Sequence, residues 1–148
     1  MVQKKNEVRL NFPAVSANEG FARTVVAAFA AQLDPTVEEL ADIRTAVSEA
    51  VTNCIVHAYR KQDGEIFLQC ALLEDGRIRI RVRDKGCGIE NLELAMQPLY
   101  STAGEERAGL GFAVMQTFMD KLNVRSIPGK GTTVTMEKQI GRKQEGDD

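Results

Sequence analysis

Cysteine and histidine are too scarce and too scattered in this chain to suggest a metal centre. Cys54, Cys70 and Cys87 form no Cys-x-x-Cys pair and His57 is the only histidine, so neither a zinc set nor a disulfide framework is indicated. Isolated cysteines of this kind behave as small apolar side chains, and His57 reads as structural. An excess of one charge is also missing. With 19 Lys and Arg against 21 Asp and Glu, the net charge of -2 excludes a general attraction to polyanions, and no direct contact with DNA is expected. No apolar run approaches the roughly 20 residues that a membrane-spanning helix needs. The polar opening, Met1-Val2-Gln3-Lys4-Lys5-Asn6-Glu7, has no apolar stretch behind it to form a secretory leader. A reducing, cytoplasmic setting without a membrane partner is the expectation. Gly-x-x-x-x-Gly-Lys-Ser/Thr is absent as well, which excludes a P-loop nucleotide site.

What is present is an ordinary soluble composition, 43% apolar and 27% charged, in 148 residues, enough for one domain with its own core. We take residues 1–140 as that domain and 141–148 as a polar tail. Residues 8–12 alternate Val8, Leu10 and Phe12 against Arg9 and Asn11, as a half-buried strand does. Residues 18–32 place Phe21, Val25, Ala28 and Phe29 at helical spacing. Thr36, with Glu39 three residues on, is a capping box for a second helix. That helix is expected to run to about Ala58, with Leu40, Ile43, Val47, Val51 and Ile55 as its core stripe. Two alternating strands follow around the Glu74-Asp75-Gly76 turn, one through Ile66, Leu68, Cys70 and Leu72, the next through Ile78, Ile80 and Val82. Residues 85–107 read as a Gly-containing loop with a short helix at 92–96, and loops of that length are more often functional than accidental. A third long helix is expected over 110–122, then a strand near Val124 and a last strand carrying Thr132, Val134 and Met136. The predicted fold is α+β, a two-layer sandwich of a mixed, mostly antiparallel sheet with helices on one face.

Four groups of residues on this frame can carry chemistry. Glu49, Asn53 and His57 recur every four residues and so form a polar line along the second helix; a solvated face has the same pattern. Asp84 continues the inward alternation of its strand, where a carboxylate needs a strong donor. A ligand amino group, a backbone amide and an arginine all qualify. Gly86 and Gly88 follow at once and allow a close backbone approach. Gly109-Leu110-Gly111 opens onto the third helix, whose free N-terminal amides suit phosphate. Finally, Gly129-Lys130-Gly131-Thr132 puts a hydroxyl on the inward face of the last strand.

In this order and spacing the groups resemble the boxes of the GHKL superfamily of ATPases and kinases. Residues 48–58 are similar to its N box, Asp84-x-Gly86-x-Gly88 to G1, Gly109-x-Gly111 to G2 and Gly129-x-Gly131-Thr132 to G3. Within it, residues 5–140 resemble the small anti-sigma factors with serine kinase activity, those of the sporulation sigma F type above all. The segments that carry this are Asn18-Glu19-Gly20-Phe21-Ala22-Arg23, residues 31–36, residues 48–53 and residues 97–102.

The resemblance implies a Bergerat-type fold binding ATP or ADP. Asp84 would accept from the adenine amino group, Gly88 and Thr132 would shape the base pocket, and Gly86, Thr102, Gly109, Leu110 and Gly111 would join them in holding the nucleotide. It further implies Asn53 as the Mg²⁺ ligand, Glu49 as the base toward a seryl hydroxyl, and Arg107 as a counter-charge to the γ-phosphoryl group. The implied partners are a sigma factor, an anti-anti-sigma protein phosphorylated on serine, and a second copy in a homodimer. Glu19 and Arg23, one turn apart, would belong to a docking surface; a simple surface ion pair would look the same. Residues 102–109 depart from the family pattern, being one residue short and carrying Ala103 where many relatives have lysine. Three other readings share the boxes: a detached histidine-kinase ATP domain, an anti-sigma kinase for a stress-type sigma factor, and a nucleotide-gated binding module with little catalysis.

Overall fold

The computed structural model describes residues 2–97 and 103–140, with the backbone alone for residues 103–108. Strands β1 (Lys4–Pro13), β2 (Glu65–Leu73), β3 (Arg77–Asp84), β4 (Lys121–Ile127) and β5 (Gly131–Gln139) form one sheet in the order β1-β2-β3-β5-β4. Its four pairings are all antiparallel, so the parallel neighbours that a mixed sheet allows do not occur among the described residues. Helices α1 (Ala17–Ala30), α2 (Val37–Asn53), α3 (Leu92–Ala95) and α4 (Ala103–Phe118) complete the fold, with α1 and α4 packed on either side of α2.

The alternation read from the sequence becomes a set of cross-strand rows. Val8, Cys70, Ile80, Met136 and Leu122 form one row, and Leu10, Leu68, Val82, Val134 and Val124 the next. Against these rows pack Ala22 and Val26 of α1, Ile43, Val47 and Val51 of α2, and Phe112 and Met115 of α4, all buried. Each fully buried aliphatic of this kind contributes roughly 1.5–3 kcal/mol. One step further along the strands Phe12 still pairs with Ile66, but Asp84, Thr132 and Ser126 now bring polar groups onto the same face. The core ends there, and the site begins.

Two helices end four or more residues short of the sequence reading. Regular α2 stops at Asn53 and continues as a wider π turn over Cys54–Ala58, in which the Tyr59 amide bonds the Cys54 carbonyl at 2.9 Å, one residue beyond the usual partner. The third long helix ends at Phe118 instead of Leu122. Its last carbonyl accepts from the buried Lys138 ammonium at 2.7 Å, and that ammonium also lies 3.4 Å from Asp42. A cation at a helix C-terminus is favourable, and Leu122 is then drawn into β4 opposite Met136.

The capping box at the start of α2 is present in both directions. Thr36 Oγ1 accepts from the Glu39 amide at 3.0 Å, and the Glu39 carboxylate accepts from the Thr36 amide at 2.9 Å. Thr36→Ala should therefore cost about 1 kcal/mol and Thr36→Ser much less. Urea midpoints of the two variants are the check; equal midpoints would remove the cap from the account of why α2 starts here.

Candidate functional site

Asp84 ends β3 with only 6% of its surface exposed. Its Oδ1 accepts from the Gly86 amide at 2.9 Å and from the Thr132 amide at 3.2 Å. Burial pushes the carboxyl above the ordinary carboxylate value, while the Gly86 amide, the Cys54 thiol and the Thr132 amide act against that shift. Cys54 is raised in turn, by burial first and then by the charge of Asp84, so it remains a thiol beside the carboxylate. Of the donors left open by the sequence, backbone amides supply the local satisfaction, and no arginine approaches among the described residues.

The glycines let three pieces of chain close around this carboxylate. A Cβ at Gly86 would stand 2.5 Å from the Ala58 carbonyl oxygen, where the π turn ends. Gly88 has φ +75° and Gly131 φ +138°, and their added Cβ atoms would fall 2.3 Å from the Ile127 oxygen and 2.2 Å from the Asp84 oxygen. Only glycine serves at such positions. Thr132 shares its hydroxyl with Ser126 at 2.8 Å, and Ser126 Oγ accepts from the Ile89 amide at 2.8 Å, which fixes the loop beyond Gly88. Tyr59 adds a brace: its hydroxyl donates to the Glu65 carbonyl at 2.6 Å and accepts from the Lys85 amide at 2.7 Å. Sequence reasoning missed Cys54, Tyr59 and Ser126 as members of the site. Of these only Ser126 left a signal, because it continues the inward alternation Leu122, Val124.

On α2, Glu49 and Asn53 lie toward α4. A Cβ at Gly111 would lie 3.1 Å from Glu49 Oε1 and 3.2 Å from both polar atoms of the Asn53 amide. The Asn53 Nδ2 is buried and has no hydrogen-bond partner among the described residues. An unpaired buried donor costs about 1–3 kcal/mol, so the amide calls for a ligand acceptor, while its oxygen suits a hard cation. Among the described residues no three His, Cys, Asp or Glu side chains gather at one point. Of the predicted site residues, Glu49, Asn53 and Gly111 come together in one group, and Asp84, Gly86, Gly88 and Thr132 in a second.

The phosphate-loop expectation needs correction. Gly109 and Gly111 do not open α4; they lie inside it, six and eight residues after Ala103, where the helix begins. Ala103, Glu105, Glu106, Arg107 and Ala108 all favour helix or its first turns, which extends it ahead of the glycines. Gly109 is buried and would place a Cβ 2.8 Å from the Gln97 carbonyl oxygen, and Leu110 is half exposed. Thr102 and the Arg107 side chain lie outside the described residues. On α1, Glu19 accepts from Arg23 at 3.1 Å and also from the Ser48 hydroxyl, which joins the helix to α2 beside Glu49. A groove of about 580 Å³ runs along α2 from Arg23 to Glu49.

The family model described as "Histidine kinase-like ATPase domain" matches residues 12–138. Curated relatives narrow this further. The anti-sigma F factor of Caldanaerobacter subterraneus subsp. tengcongensis is 62% identical over 142 residues, covering 95% of this chain and 99% of the relative. That of Clostridium acetobutylicum is 51% identical over 137 residues, covering 92% and 95%. The chain belongs to the anti-sigma F factor family. Among solved structures, one of the RsbU and RsbW domains of a Mycobacterium tuberculosis protein superposes with a TM-score of 0.66 at 21% identity, covering 92% of this chain and 32% of that one. The histidine kinase domain of the Erythrobacter litoralis EL346 blue-light activated histidine kinase gives a TM-score of 0.57 at 21% identity, covering 88% and 65%. These two likenesses establish the fold alone. No helix among the described residues is long and apolar enough to cross a membrane.

The raised Asp84 makes a pH-dependent prediction. A carboxyl whose folded pKa lies above its unfolded value favours folding when protonated, and that contribution is lost as pH rises through the folded value. Asp84→Asn should thus be at least as stable as the parent at neutral pH, with its advantage shrinking as pH falls toward about 4. Urea titrations across that range test it. A variant less stable at every pH would mean that the charge itself holds the loop.

Proposed function

We propose that this chain is an ATP-dependent serine protein kinase that also sequesters a sigma factor of the sporulation sigma F type. The observation that carries the reading is the buried amide nitrogen of Asn53, which has no partner among the described residues and lies with Glu49 against Gly111. Asp84, already bonded to two amides, would take the adenine amino group, with Gly86, Gly88 and Thr132 enclosing the base. Asn53 would hold Mg²⁺, which neutralises phosphate charge when bound. Glu49, one helical turn before Asn53, would take the hydroxyl proton of the substrate serine as its oxygen bonds to the γ-phosphorus and the bond to the ADP oxygen breaks. Arg107 would balance charge on the transferred group, and Thr102 and Leu110 would border the phosphates. Such transfer rests on positioning and charge stabilisation, so few groups are required.

The regulatory reading follows from exclusive binding. A homodimer with ATP bound would hold the sigma factor, and an anti-anti-sigma protein would displace it and be phosphorylated on serine; with ADP bound that partner would be retained. Glu19 and Arg23, tied to α2 through Ser48, would form part of the docking surface. Residues 1–140 would act as one ATP-binding unit with 141–148 as its tail, in the cytoplasm. The relatives' common name, anti-sigma F factor, supports this reading over the stress-type one.

Incubation of an anti-anti-sigma protein with the chain, Mg²⁺ and ATP, followed by mass spectrometry, is the first test. One acid-stable phosphate on serine is expected. Glu49→Ala should lower the transfer rate by about 100-fold or more while nucleotide affinity is kept. Unchanged single-turnover transfer in that variant would remove Glu49 as the base, and an acid-labile product would indicate histidine chemistry instead.

The amides of Gly109 and Gly111 lie within α4, so they can reach phosphate only if the turns ahead of them open. Nucleotide binding is therefore expected to change amide exchange over residues 103–111 while leaving the centre of α2 unaffected. Equal exchange with and without ATP would mean that phosphate is held elsewhere.

A further inference from the structure

The outer face of the sheet, opposite the helices, carries charge of a kind that the nucleotide site does not use. On β3 the residues Arg77, Arg79, Arg81 and Arg83 all point away from the core, which Ile78, Ile80 and Val82 face. At one end this charge is compensated. Glu137 on β5 lies 2.6 Å from Arg77 and 2.9 Å from Arg79, and Asp75 lies 2.8 Å from Arg77. At the other end it is not. Arg81, Arg83 and the exposed Arg125 of β4 have no carboxylate partner among the described residues, and Thr133 and Thr135 stand between the strands. These residues, with Lys121 and, at its compensated edge, Glu137, border a depression of about 840 Å³. Like charges on adjacent positions of a sheet face weaken it, yet the chain as a whole is slightly acidic, at -2.

We propose that this end of the outer sheet face is a docking site for an extended, acidic segment of a partner protein. Arg81 and Arg83 are two residues apart, about 6.6 Å along the strand, which is the spacing of same-side residues in an extended peptide. Arg125 lies two strand positions across from Arg83, through Thr133. A peptide with a carboxylate at every second residue meets the first two arginines in register, and Arg125 closes on it from the side. The threonine hydroxyls offer hydrogen bonds to its backbone. Nucleic acid is the poorer fit. Phe67, the aromatic ring on this face, has the Arg83 guanidinium 4.4 Å and the Lys85 ammonium 5.0 Å from its centroid, so its face is covered where a base would stack. The proposal does not depend on phosphotransfer.

Fluorescence anisotropy of two labelled peptides tests it, one alternating glutamate with threonine and one with the same residues in blocks. The full chain should bind the alternating peptide more tightly at physiological salt. Arg81→Gln with Arg125→Gln should weaken that binding by about tenfold, whereas Arg44→Gln with Lys61→Gln, an equal loss of charge away from this face, should not. Thermal melts of both double variants confirm that each is folded. Equal binding of the two peptides, or equal weakening by both double variants, would overturn the proposal. So would tighter binding of an oligothymidine that the Arg81 and Arg125 changes abolish, since the face would then serve nucleic acid.

Discussion

A carboxylate at the margin of an apolar sheet organises everything around it. Asp84 stands where the inward rows of β3 and β5 change from aliphatic to polar, and burial there disfavours its charge. The chain answers with the Gly86 and Thr132 amides and the Cys54 thiol. Each of those donors requires a particular local fold. The Gly86 amide needs a sharp turn directly after the strand, the Thr132 amide needs the β3–β5 register, and the thiol needs α2 to continue past Asn53. The carboxylate therefore couples three elements that are distant in sequence.

The glycine contacts show how tightly those elements are fitted. Gly86 against Ala58, Gly88 against Ile127 and Gly131 against Asp84 leave no room for a methyl group. The π turn matters for the first of these, because its wider coil brings the Ala58 carbonyl to the Cys87 amide at 3.1 Å. Such single wide turns often occur at functional sites. Directly before the turn α2 supplies Glu49 and Asn53 toward Gly111, and Cys54 begins the turn beside Asp84. The Ser48–Glu19–Arg23 contacts give that helix a second connection, outward to α1. Anything that moves Glu19 or Arg23 acts one residue from Glu49.

Much of this was legible in the sequence, for reasons that are local. The strand alternation, the capping box at Thr36 and Glu39, the inward place of Asp84 and the Gly-rich turns depend on period, side-chain chemistry and backbone freedom within a few residues. The anti-sigma resemblance rested on the same motifs, and the relatives agree with it. The helix ends were less legible. That of α4 depends on Lys138, twenty residues beyond Phe118, and that of α2 on contacts with the loop after β3.

The sequence by itself determined the α+β class, the inward faces and the residue types available for a nucleotide site, because periodicity and turn chemistry act over short range. Tertiary structure alone decided that Cys54 lies beside Asp84, that Ser126 joins Thr132, and that Gly111 lies against Glu49 and Asn53. Those facts follow from register and helix packing, which bring together residues as far apart in sequence as Glu49 and Gly111, 62 positions. Gly109 and Gly111 lie inside a helix for a local reason, since the helix-favouring residues 103–108 continue the coil toward the N-terminus. Strand register also separated the neutralised arginines of β3 from those left uncompensated, a distinction set by where β5 places Glu137.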